Sequence, residues 1–314
     1  MDREDAMNKP VIEVRKLTKY YGKHRGIIDL NFDVMDGEVF GYLGPNGAGK
    51  TTTIRTLLDL IRPTDGEGRI FGKDVRLEGE EIRKSVGYLP GELALFDGMT
   101  GEDMLTYLGN IKGGIDWNYV GELADRLEAD LDKDVAELSS GNKQKLGLIQ
   151  AFMARPRLLI LDEPTNGLDP LMQQEFFRLI EEAREKGQTV FVSSHILPVV
   201  ERICDRVGII RKGKLVTVEE IDDLKKGTLR SLEIQFAEHP PEDRFKNLPG
   251  VQEVNFEDGR LRCKVVGKLD HLIKEAARYE VENFISHEPN LEEIFLKYYE
   301  GEEELEQEGG KRNA

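Results

Sequence analysis

The sequence predicts an α/β protein with a mostly parallel core sheet, followed by a smaller α+β domain. Three observations carry that prediction. Apolar strand-like runs alternate with helix-period segments from Glu38 to Ser193, as expected of strands joined by crossover helices. A glycine-rich stretch, Gly44 to Thr52, lies between an apolar strand and an amphipathic helix. Past Lys225 the pattern changes to short alternating strands and hairpin turns. A length of 314 residues suits two domains of unequal size better than one core.

The elements follow in order. Val11 to Val14 reads as a strand, and Ile28, Leu30, Phe32 and Val34 make a second with period two. Asp36-Gly37 is a turn pair, and Glu38 to Leu43 is a strand feeding the glycine-rich stretch. Ile54, Leu57, Leu58 and Ile61 then fall at helical spacing, with Pro63 as the expected stop. From about Thr100 to Leu138 the chain is polar and helical in pattern, with apolar faces at Met104, Leu105, Leu108 and at Leu123, Leu127, Leu131. Leu158 to Leu161 suits a strand buried on both faces, and Thr189 to Ser193 repeats that character. Phe176, Phe177 and Ile180 mark the helix between them. Ser231 to Phe236, Val251 to Phe256 and Leu261 to Val266 are further strands, the last two joined at Asp258-Gly259. A helix near Leu269 to Tyr279, a strand near Val281 to Ile285 and a last helix capped by Asn290, with the stripe Leu291, Ile294, Phe295 and Tyr298, complete the second domain. The boundaries expected are residues 1–225 for the first domain and 226–300 for the second. Residues 301–314 form an acidic, glycine-containing tail expected to be disordered.

Composition narrows the function. The 44 basic and 60 acidic residues leave a net charge of −16, which argues against nucleic-acid binding, since that requires basic surface to displace counterions. The same charge opposes docking on acidic lipid by charge alone. Two cysteines, Cys204 and Cys263, occur outside any Cys-x-x-Cys pair, so neither a zinc site nor a disulfide framework is expected. Met1 to Asp5 has no apolar core and is not expected to be a signal peptide. No run approaches the roughly 20 apolar residues that cross a bilayer.

The chemistry-bearing segment is Gly44-Pro45-Asn46-Gly47-Ala48-Gly49-Lys50-Thr51, which matches G-x-x-x-x-G-K-[ST] throughout and continues into Thr52. Glycines let the backbone wrap phosphate oxygens with inward-pointing amides, and the following helix adds the positive end of its dipole. Lys50 would neutralise the β- and γ-phosphates of a nucleotide, and Thr51 would offer its hydroxyl to Mg²⁺. A glycine turn with a surface lysine is the plainer reading; the placement between strand and helix favours the phosphate site. Leu158 to Leu161 ends in Asp162-Glu163, which puts two carboxylates at the sheet's carboxyl edge. Asp162 is the candidate for Mg²⁺, and Glu163 for polarising the attacking water. His195, just past the strand Thr189 to Ser193, is placed to bond the γ-phosphate and that water. The bland alternatives are an acid pair opening a helix and a histidine beside a helix cap.

Taken together, these residues resemble the ATP-binding subunits of ABC transporters. Five blocks stand in that family's order over roughly residues 10 to 225: the loop at Gly44 to Thr52, Leu138-Ser139-Ser140-Gly141-Asn142, Leu161-Asp162-Glu163-Pro164, Asn166-Gly167-Leu168-Asp169-Pro170, and Ser194-His195. Within the family the chain is similar to multidrug and antibiotic exporters whose ATPase and membrane subunits are separate chains. The carboxy-terminal Glu288-Pro289-Asn290-Leu291-Glu292-Glu293-Ile294-Phe295 resembles that group's extension. The resemblance implies a P-loop NTPase of ABC type: a parallel core sheet, an antiparallel amino-terminal sheet and a helical subdomain at about 92–150. It implies ATP and Mg²⁺ as cofactors, a homodimer, a separate multi-span membrane subunit, no nucleic acid, and a peripheral place on the cytoplasmic face of the cell membrane.

Residue roles follow from the same resemblance. Tyr21 matches the aromatic that stacks on adenine, with Tyr20 a competitor for the role. Ser139 and Gly141 match the signature that contacts the γ-phosphate of ATP on the opposite subunit, although a serine there would also cap a helix. Asp169 matches the loop between the two sites. Two departures stand out. Where the family usually has glutamine after Val86 to Pro90, this chain has Gly91, with Glu92 next as a candidate metal contact in its place. The signature has Ser140 and Asn142 where glycine and glutamine are commoner. A soluble ABC-type ATPase acting on ribosomes or nucleic acid is the rival reading. Such proteins carry inserted coiled coils, zinc cysteines or a second ATPase domain, none of which the sequence offers.

Overall fold

The computed structural model describes residues 9–93, 98–226, 230–257 and 259–287. At its centre is β3, Val39–Leu43, whose five residues are all buried. The strands β7, Leu158–Asp162, and β8, Thr189–Ser194, are equally buried along their whole length. Continuous apolar runs of this kind suit parallel strands covered on both faces. With β6, Val86–Leu89, and β9, Arg206–Arg211, they form a parallel array in the order β9-β3-β8-β7-β6, and β10, Lys214–Glu220, adds the edge beyond β9.

A second sheet is antiparallel: β1, Pro10–Tyr21; β2, His24–Met35; β4, Asp65–Ile70; and β5, Lys73–Asp74, in the order β2-β1-β4-β5. Strand β1 runs beyond the Val14 expected from alternation. Irregular registers near Lys16, which lies at a φ of 49°, shift its pairing with both neighbours and let it continue to Tyr21, opposite His24. The two sheets share one core. Phe32 of β2 lies 5.6–6.2 Å, centroid to centroid, from Phe40, Tyr42 and Phe191 of the parallel sheet.

Helix α1, Lys50–Leu57, follows β3 but ends well before Pro63. Asp59 adopts a left-handed φ of 55°, and the amides of Asp59 and Leu60 turn back onto the carbonyls of Thr56 and Arg55. This paired closure of the last turn ends the helix, so the proline is not its stop. After α2, Gly79–Lys84, comes a helical stretch. It holds α3, Gly101–Ile111, under a Thr100–Asp103 capping box; α4, Trp117–Arg126, capped by Asp116; and α5, Ser140–Phe152, capped by Ser139. Helix α6, Pro170–Glu185, crosses from β7 to β8, and α7, Leu197–Ile203, from β8 to β9. Arg126 clamps α4 to α6 through Glu182 at 2.7 and 3.0 Å and Glu175 at 2.6 Å.

The chain parts into two compact units at Glu219 and Glu220. The second begins with α8, Ile221–Lys226, and contains β11, Arg230–Phe236; α9, Asp243–Lys246; β12, Val251–Glu257; β13, Arg260–Val265; α10, Asp270–Ala276; and β14, Val281–His287. Its antiparallel sheet runs β12-β13-β11-β14. The alternating residues Leu232, Ile234, Phe236, Leu261, Cys263 and Val265 pack one face against Phe245, Leu272 and Ala276. Helix α10 is shorter at both ends than the expected Leu269 to Tyr279. The expected helix at 290–298, the tail at 301–314 and Asp258 of the hairpin turn lie outside the described residues.

Candidate functional site

Parallel register brings several strand ends to one edge. Leu43 pairs with Ser194, Asp162 with Ser193, and Leu89 with Leu161. Gly44, Glu163 and His195, the residues after three of those ends, and Gly91 just beyond the fourth therefore open together at the carboxyl edge, where ligands of such sheets bind.

The loop from Gly44 to Gly49 enters α1 through Gly49 at a φ of 116°, which a residue with a Cβ adopts only under strain. Pro45 accepts from the Ala48 amide at 3.1 Å, closing the loop on itself. Lys50 is 5% exposed and lies back over the loop: its Nζ donates to Gly44 O at 2.5 Å and Pro45 O at 3.2 Å and stands 3.1 Å from Glu163 Oε1. That last contact is a charge pairing whose angle falls outside hydrogen-bond geometry. The other carboxylate oxygen, Oε2, lies 2.8 Å from His195 Nδ1. Glu163 itself sits at a φ of 52°, a region that non-glycine residues seldom occupy and that recurs at functional sites.

Thr51 Oγ1 donates to Asp162 Oδ2 at 2.7 Å. Asp162 is fully buried, and its Oδ1 accepts from Ser193 Oγ. A hydroxyl and a carboxylate meeting at hydrogen-bond distance form the hard-oxygen donor pair that suits Mg²⁺, an ion that takes one or two protein oxygens beside substrate phosphates. No group of three or more His, Cys, Asp or Glu converges among the described residues. A Cβ at Gly91 would come within 3.2 Å of Asp162 Oδ2, so the position faces the donor pair without supplying an atom to it. Glu92 is exposed, and neither a hydrogen bond nor an ion pair joins it to Thr51 or Asp162. Tyr88 lies within reach of the Asp162 charge. Burial, reinforced by the Asp162 charge and opposed by Arg55, pushes its hydroxyl up to about 12.

Beside the loop opens a cavity of about 210 Å³ lined by Tyr21, Gly26, Asn46, Lys50, Thr52 and Glu163, among others. Gly26 leaves room there, because a Cβ would meet Tyr21 Cε2 and Thr52 Cγ2 at 3.1 Å each. Tyr21 is about half exposed, with Lys19 Nζ 5.4 Å from its ring centroid. The structure does not bring Ser139, Gly141 or Asp169 to this cavity. Ser139 Oγ caps α5 by accepting from Asn142 N at 3.3 Å, and Asp169 caps α6 through the amides of Leu171 and Met172. Gly141 packs against the backbone of Gly167, where a Cβ would stand 2.7 Å from the carbonyl oxygen. Sequence reasoning missed Ser193 and Gln144. Both are buried polar residues, but so are Thr189, Ser194 and Lys145 on the same elements, so the sequence alone gives no mark that singles them out.

A glycine loop on a helix start, a lysine within it, and two carboxylates and a histidine at the sheet's edge define a nucleotide-binding P-loop ATPase. Comparison with known proteins gives the family. Residues 27–166 match the ABC transporter model, and residues 220–299 match the C-terminal domain of DrrA1-3-like ATP-binding proteins. The chain is 41% identical over 231 residues to the bacitracin transport ATP-binding protein BcrA of Bacillus licheniformis, covering 73% of this chain and 76% of that one. It is 32% identical to the BcrA of Enterococcus faecalis over 93% of this chain and 97% of the relative. A probable multidrug ABC transporter ATP-binding protein of Escherichia coli, YbhF, is 37% identical over 71% of this chain, which spans only 39% of that longer relative. A solved ATP-binding subunit of an ABC transporter superposes with a TM-score of 0.63 at 32% identity, covering 69% of this chain and 92% of that one. The chain belongs to the ABC transporter ATP-binding family and is an ATPase of that class.

Proposed function

We propose that two copies of this chain close around two Mg-ATP molecules and power a separate, multi-span membrane exporter from the cytoplasmic face of the cell membrane. The observation that carries this reading is the Glu163 carboxylate, held between Lys50 Nζ at 3.1 Å and His195 Nδ1 at 2.8 Å, beside the Thr51–Asp162 pair. Loop amides and Lys50 hold the phosphates, Lys50 exchanging its contact with Glu163 for phosphate charge. Thr51 and Asp162 would hold Mg²⁺, which when bound draws charge from the phosphate oxygens. Glu163 orients the attacking water, with His195 fixing the carboxylate. Attack on the γ-phosphorus breaks its bond to the bridging oxygen, ADP leaves, and the water's proton passes to the carboxylate. Positioning and charge supply most of the acceleration.

Tyr21 borders the base, and Thr52 and Asn46 border the phosphates. Ser139 and Gly141 of each copy close the other copy's site, with Asp169 between the two. None of the three lines the cavity of its own chain, which is consistent with that arrangement. Solved dimeric ABC cassettes share the fold at TM-scores of 0.61–0.62. Similarity to bacitracin and multidrug transport proteins favours export over work on ribosomes or nucleic acid. No helix among the described residues is long and apolar enough to cross a membrane. Residues 1–225 would form the ATP-binding domain, with a helical subdomain at about 92–150, and 226–300 an accessory domain. Glu163→Gln should still bind ATP, lose hydrolysis by about a thousandfold and collect as a closed dimer on size exclusion. Ordinary turnover in that variant would remove Glu163, and with it this reading.

A further inference from the structure

Gln144 is 7% exposed, on the buried side of α5. Its Nε2 donates to Pro164 O at 3.0 Å and to Glu163 O at 3.3 Å. These are the carbonyls of the two peptides that follow Glu163, whose left-handed φ turns the chain away from β7. The amide of Glu163 is held from the other side by Ser193, through its carbonyl at 3.1 Å and its Oγ at 3.2 Å. Backbone anchors on both sides thus fix where the Glu163 side chain starts. One anchor belongs to β8 and the other to α5. One turn back on α5, Gly141 packs on Gly167, so the start of α5 lies along the loop that begins at Glu163.

We infer that Gln144 is a positioning residue for the reaction: its amide aims the Glu163 carboxylate and joins that aim to the α5 end that carries Ser139 and Gly141. The inference rests on the role proposed above for Glu163. The carboxamide is suited to this because one NH₂ group donates to both carbonyls. Leucine at this position keeps the bulk and loses both bonds. Glutamate keeps the shape, but when ionised it sets negative oxygen against two carbonyls and donates again only when protonated.

The test uses steady-state ATP hydrolysis and ATP affinity of the full chain, with thermal melting as a control. Gln144→Leu is expected to lower kcat about a hundredfold, the scale of a small misplacement of a catalytic group, while KM and ATP affinity stay within about twofold. Gln144→Glu should be equally slow at high pH and recover relative to wild type as pH falls. In a Glu163→Gln background, Gln144→Leu should slow the residual turnover by less than about twofold. The inference is overturned by wild-type kcat in Gln144→Leu, by a parallel loss of ATP affinity and kcat, or by an undiminished Gln144→Leu effect in the Glu163→Gln background. If Gln144→Leu fails to fold, the Gln144→Glu pH profile decides: a profile parallel to wild type refutes the inference. Loss of the Glu163 role itself shows separately, as wild-type turnover in the single Glu163→Gln variant.

Discussion

Ser193→Ala tests the buried half of the site. Ser193 and Asp162 are both fully buried, and the Ser193 hydroxyl donates to Asp162 Oδ1. Removing it leaves one carboxylate oxygen without its donor in a site closed to water. A hydrogen bond to a charged group contributes about 1.5–3 kcal/mol. The same hydroxyl also accepts from the Glu163 amide, but that amide keeps the Ser193 carbonyl at 3.1 Å, so little is added there. The volume lost is one oxygen, too small for a cavity cost of comparable size. The expected destabilisation is therefore about 2 kcal/mol. At about 2–4 °C per kcal/mol for a unit of this size, the melting temperature of the nucleotide-free protein should fall by about 4–8 °C. Ser194→Ala is the matched control. Its hydroxyl accepts only from the neutral Ile196 amide at 2.9 Å and donates to a carbonyl at 3.4 Å, so its loss should cost about 1 kcal/mol or less. Differential scanning calorimetry reads both. A Ser193→Ala variant melting within a degree of wild type, or a larger drop in Ser194→Ala, would refute the bookkeeping.

Two other outcomes follow from the same geometry. Gly141→Ala gains helix propensity of about 1 kcal/mol but drives a Cβ to 2.7 Å from the Gly167 carbonyl, an overpacking cost of about 1–3 kcal/mol, so a net fall in melting temperature is expected by calorimetry. Tyr88 carries a folded value raised to about 12 against an ordinary value near 10, so the folded state favours the neutral phenol. Its contribution is complete below pH 10 and is lost as pH rises through 10 towards 12. Urea titrations in that window should show stability falling more steeply for wild type than for Tyr88→Phe, and equal slopes would discount the shift.

Parts of this molecule are legible one segment at a time. The phosphate loop is one of them, because Gly44 to Lys50 are contiguous and their geometry depends on local backbone freedom at Gly49. The buried strands are another: Leu158 to Leu161 has no polar face to offer water, so it must lie between two covered faces. Even local reading has limits. Pro63 looked like the end of α1, but a left-handed Asp59 closes the helix first, and aspartate in that conformation leaves no distinctive mark.

What Glu163 touches depended on the assembled fold. Its contacts with Lys50 and His195, the hydroxyl of Ser193 on Asp162, and the donors of Gln144 all join segments far apart in the chain. The contacts between strand ends rest on the register of β6, β7, β8 and β3, made by backbone hydrogen bonds that every residue but proline can form and so left unmarked in the side chains. The empty space at Gly91 is of the same kind. The residues alone place a phosphate loop and an acid pair at strand ends. That Gly91 faces Asp162 and that Gln144 holds the turn after Glu163 came only with the fold, because one contact joins neighbouring strand ends and the other joins a helix to the turn, elements that meet only when the core closes.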